Sequence, residues 1–285
     1  MLWGYPLAHT RSPGLHRHFA VATGIPLRYR VDPVPPADFA TRAREFFARG
    51  GWGANVTVPY KVVATGLAEA LDPEAAASGA VNTLYRREGV LRGANTDVIG
   101  LRRELLERHG LAHDGALRLV VVGAGGAARA VIVALHEHCA RIELVVRRPE
   151  RGCALARDFA RRSITVEPVH VLEDLGRTAP LECTLFVDAT SAWMCGGDWS
   201  LPQGSVRPGA LFYTLSYGKE SKAFHNLAER HGASVCVDGW GLLVEQAAAS
   251  FTLWTGVTPV TEELHATEDL EEARGGQEGV GSPPP

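Results

Sequence analysis

Over the first hundred residues, short apolar runs alternate with amphipathic stretches. Leu2 to Tyr5 reads as a strand. Ser12-Pro13 then opens a helix, with Ser12 as N-cap, Pro13 in the first turn, and Leu15, Phe19 and Ala20 on the apolar face. The period of two over Leu27 to Val31 predicts a second strand. Phe39 to Phe47 reads as a helix ended by Gly50-Gly51, and Ala54 to Val58 as a third strand stopped by Pro59. Ala80 to Tyr85 and Val90 to Arg92 form a predicted hairpin around Glu88-Gly89. Strands alternating with helices predict α/β layers.

The pattern sharpens in the middle of the chain. Leu117 to Val122 is a buried-type strand, Gly123-Ala124-Gly125-Gly126-Ala127-Ala128 follows, and a helix runs to about His138 before the strand Ile142 to Val146. Strand, glycine turn, helix, strand is the order of a Rossmann βαβ unit. Further strands are predicted near Leu185 to Ala189, Ala210 to Leu215 and Ser234 to Val237, and a helix over Val244 to Leu253 returns the chain to the first domain. The expected architecture is α/β: an N-terminal α/β substrate domain plus a C-terminal Rossmann-type, doubly wound parallel-sheet domain. The expected boundaries are 1–100, completed by the returning segment 238–262, and 101–237. An acidic, glycine- and proline-rich tail over 263–285 is expected to be disordered.

Length and charge narrow the function classes. A chain of 285 residues fits two domains of about 150 each. The formal net charge of −3 gives no electrostatic case for nucleic acid or an anionic membrane as partner. No apolar run is long enough to span a bilayer, and Met1 to Pro6 lacks the basic and apolar regions of a signal peptide. The five cysteines are odd in number and show no CxxC spacing, so a reduced, cytoplasmic setting is expected. No metal site is expected either: His136 and His138 are spaced i, i+2, which sends their rings to different helix faces.

The glycine turn carries the clearest chemistry. Gly123 permits a tight turn, Gly125 allows close backbone approach to a pyrophosphate, and Ala128 is the small residue where helix and strand pack. The free N–H groups and dipole of the helix that follows favour phosphate. After the next strand, no acid stands ready for a ribose hydroxyl; Arg147, Arg148 and Arg151 stand there instead. Guanidinium groups suit a 2′-phosphate, which favours NADP over NAD, although an ordinary basic surface loop has the same composition. Upstream lie four polar clusters: His9-Thr10-Arg11-Ser12, Asn55-Val56-Thr57 with Lys61, Asn82-Thr83, and Asn95-Thr96-Asp97. Each taken singly fits turn or cap chemistry, and Asp97 in particular fits a cap for a helix starting at Val98. Together they suggest a pocket for a polyhydroxylated ligand.

In order and spacing these motifs resemble the shikimate dehydrogenase family from Gly4 to about Pro259. The resemblance rests on FFARGGWGANVTVPYK (46–61), GAVNTL (79–84), Asn95-Thr96-Asp97, GAGGAARA (123–130), DGWGLLVEQAA (238–248) and LWTGVTP (253–259). It implies an NADP-dependent oxidoreductase interconverting 3-dehydroshikimate and shikimate, acting as a monomer or homodimer on a small-molecule substrate. It further implies Lys61 and Asp97 as the catalytic pair, and Thr10, Ser12, Thr57, Asn82, Tyr217 and Gln246 around the substrate. The cofactor would meet Gly123, Ala124, Gly125, Gly126, Ala127, Arg147, Arg148, Arg151, Thr190 and Gly239.

Several positions depart from the family pattern. Thr10 replaces the usual serine, and Val98 the glycine after Asn-Thr-Asp. Asp188-Ala189-Thr190-Ser191-Ala192-Trp193-Met194 replaces Asn-Ala-Thr-Ser-x-Gly-Met. Thr214-Leu215 replaces Asp-Met, and Arg147-Arg148-Pro149 replaces Asn-Arg-Thr. A paralogous dehydrogenase acting on quinate, an aminoshikimate or another cyclic polyol acid is the first alternative. A non-catalytic binding protein with the same fold is the second.

Overall fold

The computed structural model describes residues 1–7, 10–111, 115–190, 192 and 200–266. The first half contains β1 (Leu2–Gly4), α1 (Ser12–Thr23), β2 (Val31–Pro33), α2 (Phe39–Ala48), β3 (Gly53–Val56), β4 (Ala70–Leu71), α3 (Pro73–Ser78), β5 (Thr83–Arg87), β6 (Val90–Ala94) and α4 (Thr96–Leu101). Helix α4 widens into a π-type segment over Arg102–Arg108. The second half contains β7 (Leu117–Val122), α5 (Gly126–Leu135), β8 (Cys139–Val146), α6 (Pro149–Ala160), β9 (Val169–Val171), β10 (Leu185–Asp188), β11 (Leu211–Thr214), α7 (Lys222–Arg230), β12 (Val235–Val237), α8 (Trp240–Thr255) and α9 (Glu262–His265).

The strands form two sheets. The first has the order β2-β1-β3-β5-β6-β4 and is mixed, because the β5–β6 hairpin runs antiparallel to β3. Its turn places Glu88 at φ 54° and Gly89 at φ 82°, left-handed values that a two-residue hairpin loop requires. The second sheet is parallel throughout, in the order β12-β11-β10-β7-β8-β9. Strand order therefore reverses between β7 and β10, the switch point at which doubly wound sheets bind their ligands.

Each sheet has its own apolar core. Trp3, Phe39, Phe47, Val56 and Leu84 pack under the first. Leu119, Val121, Ile132, Leu144, Phe159 and Val187 pack against one face of the second. Leu15, Phe19, Val244, Ala248 and Phe251 form a third cluster, which docks α8 onto α1. That docking brings the late helix α8 against the N-terminal helix α1. No helix among the described residues is long and apolar enough to cross a membrane.

Some expectations shift in the folded chain. Ser12 is not the N-cap of α1: Arg11 holds that position, and Ser12 starts the helix as a buried residue. The strand expected over Leu27 to Val31 forms at Val31–Pro33, where β1 supplies a parallel partner. Asp97 does not cap α4; Asn95 precedes the helix, which leaves the Asp97 carboxylate free for another partner. The expected disorder from 263 does not hold at its start, since α9 reaches His265 and Leu264 is buried, with its carbonyl accepting from Trp240 Nε1 at 2.7 Å. The rest of the expected tail, from 267 on, lies outside the described residues.

Candidate active site

Lys61 lies just past the end of β3, on a segment fixed by aromatic packing. Tyr60 stacks on Phe39, with ring centroids 4.3 Å apart, and donates its hydroxyl hydrogen to the Val34 carbonyl. The Lys61 carbonyl accepts from the Val81 N–H at 2.7 Å, which ties the segment to the strand leading into Asn82. These constraints bring Lys61 Nζ to 2.7 Å from Asp97 Oδ2. Both side chains are mostly enclosed, at 14% and 8% exposure, so the ion pair is shielded from water on most sides. Asn82 donates from Nδ2 to the other Asp97 oxygen at 2.8 Å. Its Oδ1 accepts from the Thr96 N–H at 2.7 Å and the Thr96 hydroxyl at 3.1 Å. The amide of Asn82 therefore has one orientation, and it aims the carboxylate at the ammonium.

A second tier of hydroxyls holds that arrangement. Ser250, on α8, lies 2.8 Å from Thr83 Oγ1 and 3.0 Å from Thr96 Oγ1 and accepts from Asn55 Nδ2 at 2.9 Å. Tyr29 donates to Asn55 Oδ1 at 2.8 Å. Asn55, Thr83 and Thr96 stood out in the sequence as parts of polar clusters. Ser250 did not, since a lone serine in an apolar helix carries no signal until its neighbours are known. Gln246 sits one turn earlier on α8, packs on Gly100 of α4, and donates from Nε2 to the Leu243 carbonyl at 2.8 Å.

The glycine turn faces this pair. A Cβ built on Gly126 would lie 2.7 Å from the Lys61 Cβ, so α5 begins in direct contact with the lysine stem. Only glycine permits that approach. Gly123 has φ 114°, and a Cβ there would lie 3.2 Å from the Ala189 carbonyl oxygen. A Cβ on Gly125 would meet nothing within 4 Å, so the backbone is open to approach at the helix start, with Ala124 and Ala127 half-buried beside it. Those features fit a pyrophosphate on the free N–H groups of the first turn. Thr190 follows β10 beside Gly123, and its N–H donates to Asp188 Oδ1 at 3.0 Å. Arg147, Arg148 and Arg151 are exposed at the end of β8 and the start of α6, and none of the three forms an ion pair among the described residues. Gly239 is also constrained by the fold. A Cβ there would run into the Leu215 backbone, so its smallness serves chain packing before any ligand.

Thr10, Ser12 and Tyr217 form a separate group. Thr10 and Ser12 are adjacent, with hydroxyls 3.2 Å apart. Tyr217, from the second sheet's half, lies against the Arg11 backbone and the Thr10 side chain; burial pushes its phenol above the usual value. Thr57 is half-buried at the end of β3, and its N–H donates to the Trp3 carbonyl at 2.9 Å. His9, Ser191, Trp193 and Met194 lie outside the described residues.

Comparison with known proteins bears on this geometry. The profile of the shikimate dehydrogenase substrate-binding domain matches residues 2–84, and that of the shikimate 5′-dehydrogenase C-terminal domain matches 239–265. The shikimate dehydrogenase (NADP(+)) of Xanthomonas oryzae pv. oryzae is 42% identical over 275 residues, covering 95% of each chain. The chain belongs to the shikimate dehydrogenase family. The corresponding enzyme of Dechloromonas aromatica is 40% identical over 93% of this chain and 95% of its own. Among solved structures, the Thermus thermophilus shikimate 5-dehydrogenase in complex with NADP(H) and shikimate superposes with a TM-score of 0.76 at 31% identity, over 93% of this chain and 96% of the other.

Within a shikimate dehydrogenase fold, two of the sequence departures explain each other. Asp188 and Thr214 face one another across β10 and β11, and the Thr214 hydroxyl donates to Asp188 Oδ2 at 3.2 Å. The pair still holds one carboxylate, moved to the neighbouring strand. Val98 is fully buried in the core among Leu101 and Ala130, away from solvent.

Proposed function

We propose that this chain is an NADP-dependent shikimate dehydrogenase that reversibly reduces 3-dehydroshikimate to shikimate. The observation that carries the reading is the enclosed Lys61–Asp97 ion pair whose lysine stem touches the first residue of the glycine-turn helix. One lobe supplies a proton-handling pair, and the other places a phosphate cradle against it. The proposed lobes are 1–100 with 238–262, and 101–237.

When bound, NADPH supplies the hydride that the substrate carbonyl carbon accepts. The chain's own task is then the oxygen. Lys61 donates its proton to that oxygen as charge develops there, and Asp97 holds the ammonium in line while accepting a hydrogen bond from the adjacent substrate hydroxyl. Asn82 keeps the carboxylate turned toward the lysine. In the oxidising direction the same Nζ takes the hydroxyl proton. Thr10, Ser12, Thr57, Tyr217 and Gln246 supply hydroxyl and amide partners for a polyhydroxylated carboxylate. Arg147, Arg148 and Arg151 supply guanidinium partners for the 2′-phosphate, which favours NADP. The proposed compartment is the cytoplasm, in keeping with the free thiols of Cys139, Cys153, Cys183 and Cys236.

A substrate panel tests the reading. Purified enzyme is assayed with shikimate and quinate, each with NADP⁺ and NAD⁺. The highest kcat/KM is expected for shikimate with NADP⁺. A higher value for quinate would move the enzyme to the paralogous activity, and no reduction of either nucleotide would remove the redox assignment.

A further inference from the structure

Arg129 belongs to the glycine-rich stretch that opens α5, yet no role in substrate or phosphate binding accounts for it. Its guanidinium reaches across to the other lobe. Nη1 donates to the Ser78 carbonyl at 2.9 Å and to Asp158 Oδ2 at 2.6 Å. The arginine side chain is 15% exposed and that of Asp158 23%, so the pair is largely removed from solvent. Ser78 is the last residue of α3, and its carbonyl is one of those a helix C-terminus leaves unpaired. Arg162, just past α6, donates to the Ala76 carbonyl of the same turn and pairs with Asp158 at 3.5 Å. Two cations thus cap the negative end of α3. Nearby, Arg102, following α4, donates to the Val133 and Ala134 carbonyls at the end of α5 and pairs with Glu74 of α3.

Ser78 sits where this contact counts. Its hydroxyl accepts from Asn95 Nδ2 at 2.9 Å, two residues before Asp97. The chain leaves α3 through Gly79 and reaches Asn82 in three further residues. Both segments that present the carboxylate and its amide guide therefore start from the point Arg129 holds. Arg129 is also one helical turn from Gly126, which touches Lys61. One face of α5 meets the lysine with its first turn and the base of Asn82 and Asp97 with its second.

We propose that Arg129, backed by Asp158, is a positioning residue. It latches the end of α3 to the glycine-turn helix, and so sets the placement of Lys61, Asp97 and Asn82 relative to the nucleotide side of the cleft. The inference rests on the proposed dehydrogenase reading for its catalytic consequence, and on geometry alone for the latch. A misplacement of about 1 Å by a group remote from the chemistry costs on the order of 10²-fold in rate.

The test compares Arg129→Ala, Arg129→Lys and Asp158→Asn with the wild-type enzyme. In Arg129→Ala, kcat is expected to fall on the order of 10–100-fold while the binary affinity for NADPH stays unchanged. The primary isotope effect with NADPH deuterated at the transferred position is expected to rise. Arg129→Lys regains most of kcat, because an ammonium can still bridge Ser78 and Asp158. Asp158→Asn shows a smaller loss than the alanine variant. Without any ligand, amide hydrogen exchange over 79–82 and 95–97 is faster in Arg129→Ala. Unchanged kcat, a loss confined to KM or thermal midpoint, or unchanged exchange in those two segments would overturn the latch. No turnover by the wild-type enzyme, with the exchange difference present, would strike the shikimate reading and leave the latch standing.

Discussion

His16 shows how one buried side chain ties stability to pH. It stacks on Tyr29 with centroids 4.3 Å apart, lies 5.1 Å from the Trp254 ring centroid, and is fully buried. Burial, with a smaller push from the chain's N-terminal charge, brings its pKa from 6.5 down to about 3. The unfolded chain therefore binds a proton that the folded one refuses. The contribution of neutral His16 is fully present above pH 6.5 and is lost as pH falls toward about 3. His16→Phe is expected to flatten the fall in thermal midpoint between neutral and mildly acidic pH; an unchanged slope would exclude His16 as its source. Arg148 carries a prediction of another kind. Arg148→Ala is expected to raise KM for NADP⁺ about tenfold or more and to leave KM for NAD⁺ unchanged, since one charge-assisted phosphate contact is lost. Equal effects on both nucleotides in steady-state assays would contradict the arginine clamp. At this scale Lys61 and Asp97 were marked only by the family resemblance, since residue type alone left Asp97 open to a helix cap. The sequence was silent on Ser250 and His16, whose roles exist only through distant neighbours.

Among the elements, the paired strands β10 and β11 show why a departure from a family pattern has to be weighed against its spatial partner. Asp188 and Thr214 are 26 residues apart in the chain and hydrogen-bonded in the sheet, both fully buried. Thr214→Val removes one donor to a buried carboxylate and is expected to cost about 1–3 kcal/mol in urea unfolding. Exchanging the two roles, with Asp188→Asn and Thr214→Asp together, is expected to recover most of that loss. A double variant less stable than Thr214→Val would show that the two positions are not coupled. Element types were largely readable in advance, because the hydrophobic period and the turn residues agree. The β5–β6 hairpin and the β7–α5–β8 unit formed where expected. Misses came where pairing or side-chain contacts decide. The second strand moved to Val31–Pro33 because β1 pairs there, and Asp97 took an ion pair in place of a cap because Lys61 lies within reach.

Across the whole molecule, the two sheets are brought together where the stem of Lys61 meets the start of α5. Helix α8 leaves the second sheet after Gly239 and packs on α1 and α4, so it joins the two halves and carries Ser250 to the hydroxyl network behind Asp97. The Rossmann half was visible in the glycine turn between two apolar strands. The facing of Lys61 and Gly126 was not, since no local pattern encodes which side of one lobe meets the other. The most direct test of the account is the rate of NADPH oxidation on adding 3-dehydroshikimate, compared between the wild-type enzyme and Lys61→Ala with matched folding by circular dichroism. The account predicts brisk oxidation by the wild-type enzyme and a loss of about 10²–10⁴ in kcat for the variant, at unchanged NADPH affinity. Turnover by the alanine variant close to the wild-type rate would contradict it.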